Sequence, residues 1–220
     1  MGRNKYIIVA LDGAAGSGKS TTARAICKKY NYIHVDTGLH YRAISFHLLN
    51  LNINPESTPE YLLSSPLILS SKLDEFSVQL FIDGAHYSKF DLRNERMNRE
   101  VSYYARIPEV RALLLNYQRS LPDFGKNSGY SGIIMDGRDI GSVILPDADI
   151  KIFLHADLQV RQSRRLSDGE QDSISARDQI DSTRKIAPLT CPDDALSIDT
   201  GKQSLDMVVQ LISDEIASLS

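Results

Sequence analysis

The chain has 220 residues, enough for one sizeable core and short for two independent ones. Apolar residues make up 42% and charged residues 24%, the balance of a soluble globular protein. The net charge of -3 excludes the globally basic surface that nucleic-acid and membrane-surface proteins carry. In chain order, the run YIIVAL at 6–11 is continuous and rich in β-branched residues, as expected of a parallel strand buried on both faces. It is too short for the apolar region of a secretory signal, and no stretch approaches membrane-spanning length, so the cytosol is the expected location. A Gly-rich loop follows. Helical spacing of Ala23, Ile26, Cys27 and Tyr30 predicts a helix over 20–30, then a short strand at 33–35 and a helix over 39–49. Residues 50–70 read as loop and short helix. Phe76, Val78, Leu80 and Ile82 alternate with polar residues, and Asp83-Gly84 is a hairpin-turn signal, which together predict a small antiparallel insert. Helices are expected near 96–105 and 108–119, strands at 132–135 and 150–154, and a helix from about 157. A polar stretch at 166–174, a helix bearing Arg177, Asp181 and Arg184, a strand at 195–198 and a helix at 204–219 complete the pass. Strands alternating with helices imply an α/β fold, a mostly parallel sheet flanked by helices. The two cysteines, Cys27 and Cys191, are far apart and form no Cys-x-x-Cys pair, so reduced thiols are expected.

The loop carries the first chemistry. Gly13, Ala14, Ala15, Gly16, Ser17, Gly18, Lys19 and Ser20 match Gly-x-x-x-x-Gly-Lys-Ser between a strand and a helix. This is the context in which backbone N–H groups and a helix N-terminus cradle phosphates. Lys19 supplies a point charge to the β- and γ-phosphates, and the Ser20 hydroxyl is a ligand for Mg²⁺. With Thr21 these residues form the expected ATP site. A nucleotide is implied by the loop and a reaction is not. A guanine-reading Asn-Lys-x-Asp motif is lacking, which disfavours a switch GTPase.

Three basic clusters favour a kinase: Asp36 to Arg42 after the second strand, Asp136 to Gly141 after the third, and Arg177 to Arg184 later. Arginine suits bidentate recognition of phosphate and neutralises charge during phosphoryl transfer. The segments DGAAGSGKS (12–20), DTGLHYR (36–42), VSYYARIPEVR (101–111), MDGRDIGSVILPDADIKIFL (135–154), RDQIDSTRKIAPL (177–189) and ALSIDT (195–200) closely resemble the bacterial cytidylate kinases. The resemblance covers nearly the whole chain, and DGRDIG with PDADIKIFL is its specific part.

The resemblance implies one P-loop kinase domain. It would comprise a core (1–50, 130–165, 185–220), a monophosphate-binding insert at about 51–120 and a lid at about 166–184. It implies phosphoryl transfer from ATP to CMP or dCMP with Mg²⁺, by a monomer. Ser17, Thr37, Arg42 and Arg138 would surround the acceptor phosphate. Ser102, Arg111, Asp139 and Arg184 would read cytosine, and Arg177 and Asp181 would meet the ribose. Lys19, Arg138, Arg177 and Arg184 would carry the catalytic charge. Two departures fall in the lid: the segment between Arg165 and Arg177 is short, and Ile180 and Ser182 stand where many members have arginine. They place ATP-side contacts and lid kinetics in question. Another small-molecule P-loop kinase and a non-catalytic nucleotide switch stay open as alternatives. Arg161, Arg164 and Arg165 read equally as ATP contacts or as a solvated helix face. The five histidines show no metal-ligand spacing.

Overall fold

The apolar runs become strands. This computed structural model describes residues 5–167, 178 and 187–219. Its first elements are β1 (Ile7–Gly13), α1 (Lys19–Tyr30), β2 (Tyr32–Asp36), α2 (Thr37–Asn50), α3 (Thr58–Ser64), β3 (Leu69–Asp74), β4 (Ser77–Ile82), α4 (Lys89–Leu92), α5 (Glu95–Tyr104) and α6 (Pro108–Asn127). Then come β5 (Gly132–Gly137), a π-helical turn (Ile140–Ile144), β6 (Ile150–His155), α7 (Leu158–Ser167), β7 (Leu196–Asp199) and α8 (Leu205–Ser218). Two units emerge, Met1–Asp36 with Leu121–Ser220, and Thr37–Ser120.

The first unit is built on five parallel strands. β1 lies between β5 and β6, with Val9 opposite Ile134 and Leu11 opposite Ile152. β2 pairs with β5 through Ile33 and Ile133, and β7 pairs with β6 through Ser197 and Phe153. Every residue of β5 is buried, which explains why its sequence is a continuous apolar run rather than an alternating one. α1 lays Ala23, Ile26 and Cys27, all fully buried, against this sheet. At about 1.5–3 kcal/mol for each large apolar side chain removed from water, this packing supplies the main stabilisation of the layer. Because the strands are parallel, their carboxyl ends share one edge, where α/β folds place ligands. That edge carries Gly13, Asp36, Gly137, His155 and Asp199.

In the second unit, β4 buries Val78, Leu80 and Ile82 in alternation, as the period-two pattern requires. The reversal differs from expectation. β3 and β4 pair from Leu69–Ile82 to Asp74–Ser77, so the chain turns at Glu75-Phe76. Asp83 and Gly84, with φ of 50° and 81°, do form a tight turn closed by reciprocal Ile82–Ala85 hydrogen bonds. That turn leads only to a single bridge at Ala85, not to a second strand. β3 and the short α4 were not expected. α6 continues past the expected end at 119 to Asn127 with Pro122 inside it. Tyr104 is fully buried and donates its hydroxyl to the Ile53 carbonyl at 2.8 Å, while Tyr103 is exposed. The expected helix around Arg177 to Arg184 and most of the expected lid lie outside the described residues. Among the described residues, no helix is long and apolar enough to cross a membrane.

Candidate active site

The loop after β1 is shaped by its glycines. A Cβ on Gly13 would sit 2.1 Å from the Leu154 carbonyl oxygen. Gly16 has φ +74°, and a Cβ there would sit 2.7 Å from the Arg161 carbonyl oxygen. No other residue fits either position without moving backbone. The loop delivers the chain into α1 through Gly18, whose φ is 90°. Among the described residues α1 has no side-chain cap and no acidic residue in its first turn. Its leading N–H groups and positive dipole end are thus offered to an anion. The Ser17 hydroxyl oxygen beside them is buried with no hydrogen-bond partner among the described residues, an unusual state for a buried polar atom. The several oxygens of a phosphate group would satisfy these donors together.

Lys19 folds back over the loop, donating from Nζ to the Ala14 carbonyl at 2.9 Å. Burial, and then the nearby Arg138 charge, pull its ammonium down to about 7, against the opposing Asp136, Asp36 and Asp12. Asp136, at the end of β5, is 2% exposed. Burial alone would push its carboxyl up, but His34 at 3.2 Å, Lys19 and the Ser20 hydroxyl hold it below the usual carboxylate range. The Ser20 hydroxyl and the Asp136 carboxylate are both hard oxygen donors, so this donor set fits a divalent cation such as Mg²⁺. Asp12 accepts from the amides of Ile140 (2.8 Å) and Gly141 (2.7 Å). Burial nevertheless raises its carboxyl to about 6. These bonds fasten the start of the π-helical turn to the end of β1, and so fix the Arg138-Asp139 pair beside the loop. Asp139 is buried, and its carbonyl accepts from the amides of Val143 and Ile144 at 3.0 and 3.1 Å. Arg138 reaches the Gly137 carbonyl at 3.3 Å.

The expected residues therefore divide by location. Gly13 to Thr21, Arg138 and Asp139 gather at the strand ends of the first unit. In the second unit, Arg42 is buried on α2 and donates to the Leu92 carbonyl (2.7 Å) and the Asn98 side-chain oxygen (2.6 Å). Ser102 stands one helical turn from Asn98 on α5. Arg111 is buried on α6, donates to the Ala105 carbonyl at 3.3 Å and lies 5.4 Å from the Tyr41 ring centre. Thr37 is the buried first residue of α2. Arg177, Asp181 and Arg184 lie outside the described residues. Three residues beside the loop were given no role in the site by the sequence reading: Asp12, His34 and Asp136. Asp136 had a readable signal, four residues of apolar strand ending in an acid, the pattern P-loop proteins use at the metal. Asp12 and His34 act through partners more than a hundred residues away.

A Gly-rich loop leading into a helix on a parallel sheet, with lysine, serine and a strand-end aspartate converging on it, defines a P-loop nucleotide-binding protein of the kinase type. The sequence model of the family described as cytidylate kinase matches residues 9–218, and the chain belongs to that family. The cytidylate kinase of Chloroherpeton thalassium is 36% identical, with 98% of this chain and 97% of that protein covered. That of Fusobacterium nucleatum is 38% identical, with 96% and 97% covered. A solved structure of an uncharacterized protein from Eubacterium ventriosum shares the fold, with a TM-score of 0.51 at 15% identity over 96% of this chain and 99% of that one.

Proposed function

We propose that the protein transfers the γ-phosphoryl group of ATP to the phosphate of CMP or dCMP, giving ADP and CDP or dCDP. The observation that carries the donor half is the uncapped N-terminus of α1 beside the buried Lys19 and the buried Ser17 hydroxyl, which has no partner among the described residues. Membership of the cytidylate kinase family carries the choice of acceptor. Ser20 and Asp136 would hold Mg²⁺, which supplies charge neutralisation across the phosphates when bound. Lys19 keeps its Nζ against the loop through the Ala14 carbonyl, where an anionic phosphate would favour its charged form, and Arg138 adds positive charge beside it. The acceptor oxygen is an anionic phosphate monoester, so no general base is required. Positioning and charge stabilisation do the work.

For the acceptor we assign Ser17, Thr37, Arg42 and Arg138 to the phosphate. Ser102, Arg111, Asp139 and Arg184 go to the base, and Arg177 and Asp181 to the ribose. The insert at about 51–120 would form the monophosphate-binding region and residues 166–184 the lid of one kinase domain. On the family resemblance we place the enzyme in the cytosol as a monomer. Asp139 as an acceptor would favour the cytosine amino group over the uracil carbonyl. A coupled ADP assay with CMP, dCMP, UMP, AMP, shikimate and dephospho-coenzyme A tests the reading. CMP and dCMP should turn over well and UMP poorly, and Asp139→Ala should lower the CMP-to-UMP preference by about tenfold. Absence of ADP formation with every nucleoside monophosphate would falsify the proposal.

A further inference from the structure

A loop whose N–H groups converge on an anion turns its carbonyl groups the other way, into protein, where each needs a donor. Three consecutive carbonyls of the phosphate loop find theirs outside the loop. The Ala15 carbonyl accepts from Arg161 Nη1 at 3.1 Å. The Gly16 carbonyl lies 3.5 Å from Arg164 Nη1. The Ser17 carbonyl accepts from the Thr200 hydroxyl at 3.0 Å.

The donors are themselves held in place. Arg161 is 9% exposed, and its Nε donates to the Ala156 carbonyl at 2.9 Å. Its Nη1 also pairs with the Asp178 carboxylate. Arg164 donates to the Thr200 carbonyl (2.6 Å) and hydroxyl (3.0 Å). That hydroxyl therefore accepts from Arg164 and shares its one proton between the Ser17 carbonyl at 3.0 Å and the His155 carbonyl at 3.2 Å. Thr200 is 5% exposed, and its amide donates to the His155 carbonyl at 2.8 Å, which anchors it to the end of β6. Gly16 is pressed against the α7 backbone as well, as the approach of the Arg161 carbonyl to its missing Cβ shows. The helix face that carries Arg161 and Arg164 thus meets the loop through the Ala15 and Gly16 carbonyls. It grips the outside of the loop.

We infer that Arg161 and Thr200 are positioning residues for the donor triphosphate, holding the Ala15–Ser17 backbone in its anion-binding form without touching the nucleotide. The inference rests on the reading of the loop as the donor site and adds to it where the loop's shape comes from. Replacing Thr200 by Val removes the hydroxyl donor that the Ser17 and His155 carbonyls share, at nearly constant volume. Replacing Arg161 by Lys leaves one ammonium where two carbonyls and a carboxylate are now served by a planar fork.

The test is titration calorimetry of Mg-ATP, tripolyphosphate and CMP, with thermal melts, on the wild type, Thr200→Val, Thr200→Ser and Arg161→Lys. Thr200→Val should weaken ATP and tripolyphosphate roughly five- to tenfold, with CMP held within about twofold and Thr200→Ser restoring most of the loss. Arg161→Lys should show the same selective loss, and decides the matter should Thr200→Val fail to fold. Unchanged triphosphate affinity in both variants overturns the inference, as does a parallel weakening of ATP and CMP with a lowered melting temperature. A wild type that binds CMP but neither ATP nor tripolyphosphate would instead overturn the donor-site reading itself.

Discussion

The two units hold their charged groups by different means. At the strand ends of the first unit the path of the backbone does most of the work. Glycines that admit no Cβ set the loop, and the ionisable groups beside it, Lys19, Asp12 and Asp136, are buried and interlocked. In the Thr37–Ser120 unit the charged groups are long side chains on helices. Arg42 and Arg111 are aimed by what their spare N–H groups bind, the Leu92 and Ala105 carbonyls and the Asn98 side chain. A backbone site stores unfavourable burial of charge and is disrupted from within. An arginine site depends on the partners that orient the guanidinium, and is loosened by removing one of them.

The sharpest way to break that contrast is Lys19→Met. Loss of the loop charge should lower turnover by about 10²–10³-fold in the coupled ADP assay. The same change should raise the melting temperature of the ligand-free protein at pH 6. Burial lowers the Lys19 ammonium to about 7, so below that pH the fold carries a charge it disfavours. The gain should fade as pH rises toward the ordinary lysine value. A variant that is both inactive and less stable would refute the idea that this site stores unfavourable charge.

Next in size is Asp12→Asn. The folded-state pKa of about 6 lies above the unfolded value of 3.8, so the fold retains a proton that the unfolded chain has released. The contribution of Asp12 is fully present below about pH 4 and is lost as pH rises through 6. It amounts to about 3 kcal/mol over that window. Urea unfolding at pH 4 and pH 7.5 should therefore show the stability of the wild type relative to the variant shrinking by that order. A pH-independent difference would remove Asp12 from the account.

The smallest effect, and the one that probes the second unit, is Asn98→Ala. It takes the 2.6 Å acceptor from Arg42 without touching the arginine. The KM for CMP should rise about tenfold while the KM for ATP stays put. Equal changes in both would show that Arg42 is not oriented for the acceptor.

Legibility tracked the range of the interactions. β1, β5 and the loop could be read because continuous apolar strands and the Gly13, Gly16 and Gly18 spacing are local signals. The hairpin was half legible. The alternation of β4 was plain, but Asp83-Gly84 is a stronger turn signal than Glu75-Phe76, where the reversal occurs with Glu75 at φ 49°. β3, with only two apolar residues among six, gave no pattern. Pro122 reads as a terminator, yet it costs one backbone bond in a helix whose Leu121 neighbour is fully buried, and packing prevails. In the site, Lys19 and Ser20 stand out from the sequence because the loop motif itself contains them. The Asp12–Ile140 and Thr200–Ser17 bonds span 128 and 183 residues and leave no local trace.

The place of β5 between β1 and β2 has a consequence for synthesis. The loop-bearing strand is made first, yet within its own unit neither it nor β2 has a partner until residues 132–137 leave the ribosome. At ordinary elongation rates that interval is on the order of ten seconds. The intervening Thr37–Ser120 segment, with its local hairpin and helices, can collapse during the wait. The apolar strand β1 stays unpaired meanwhile, which makes the nascent chain most prone to aggregate just before the central strand arrives.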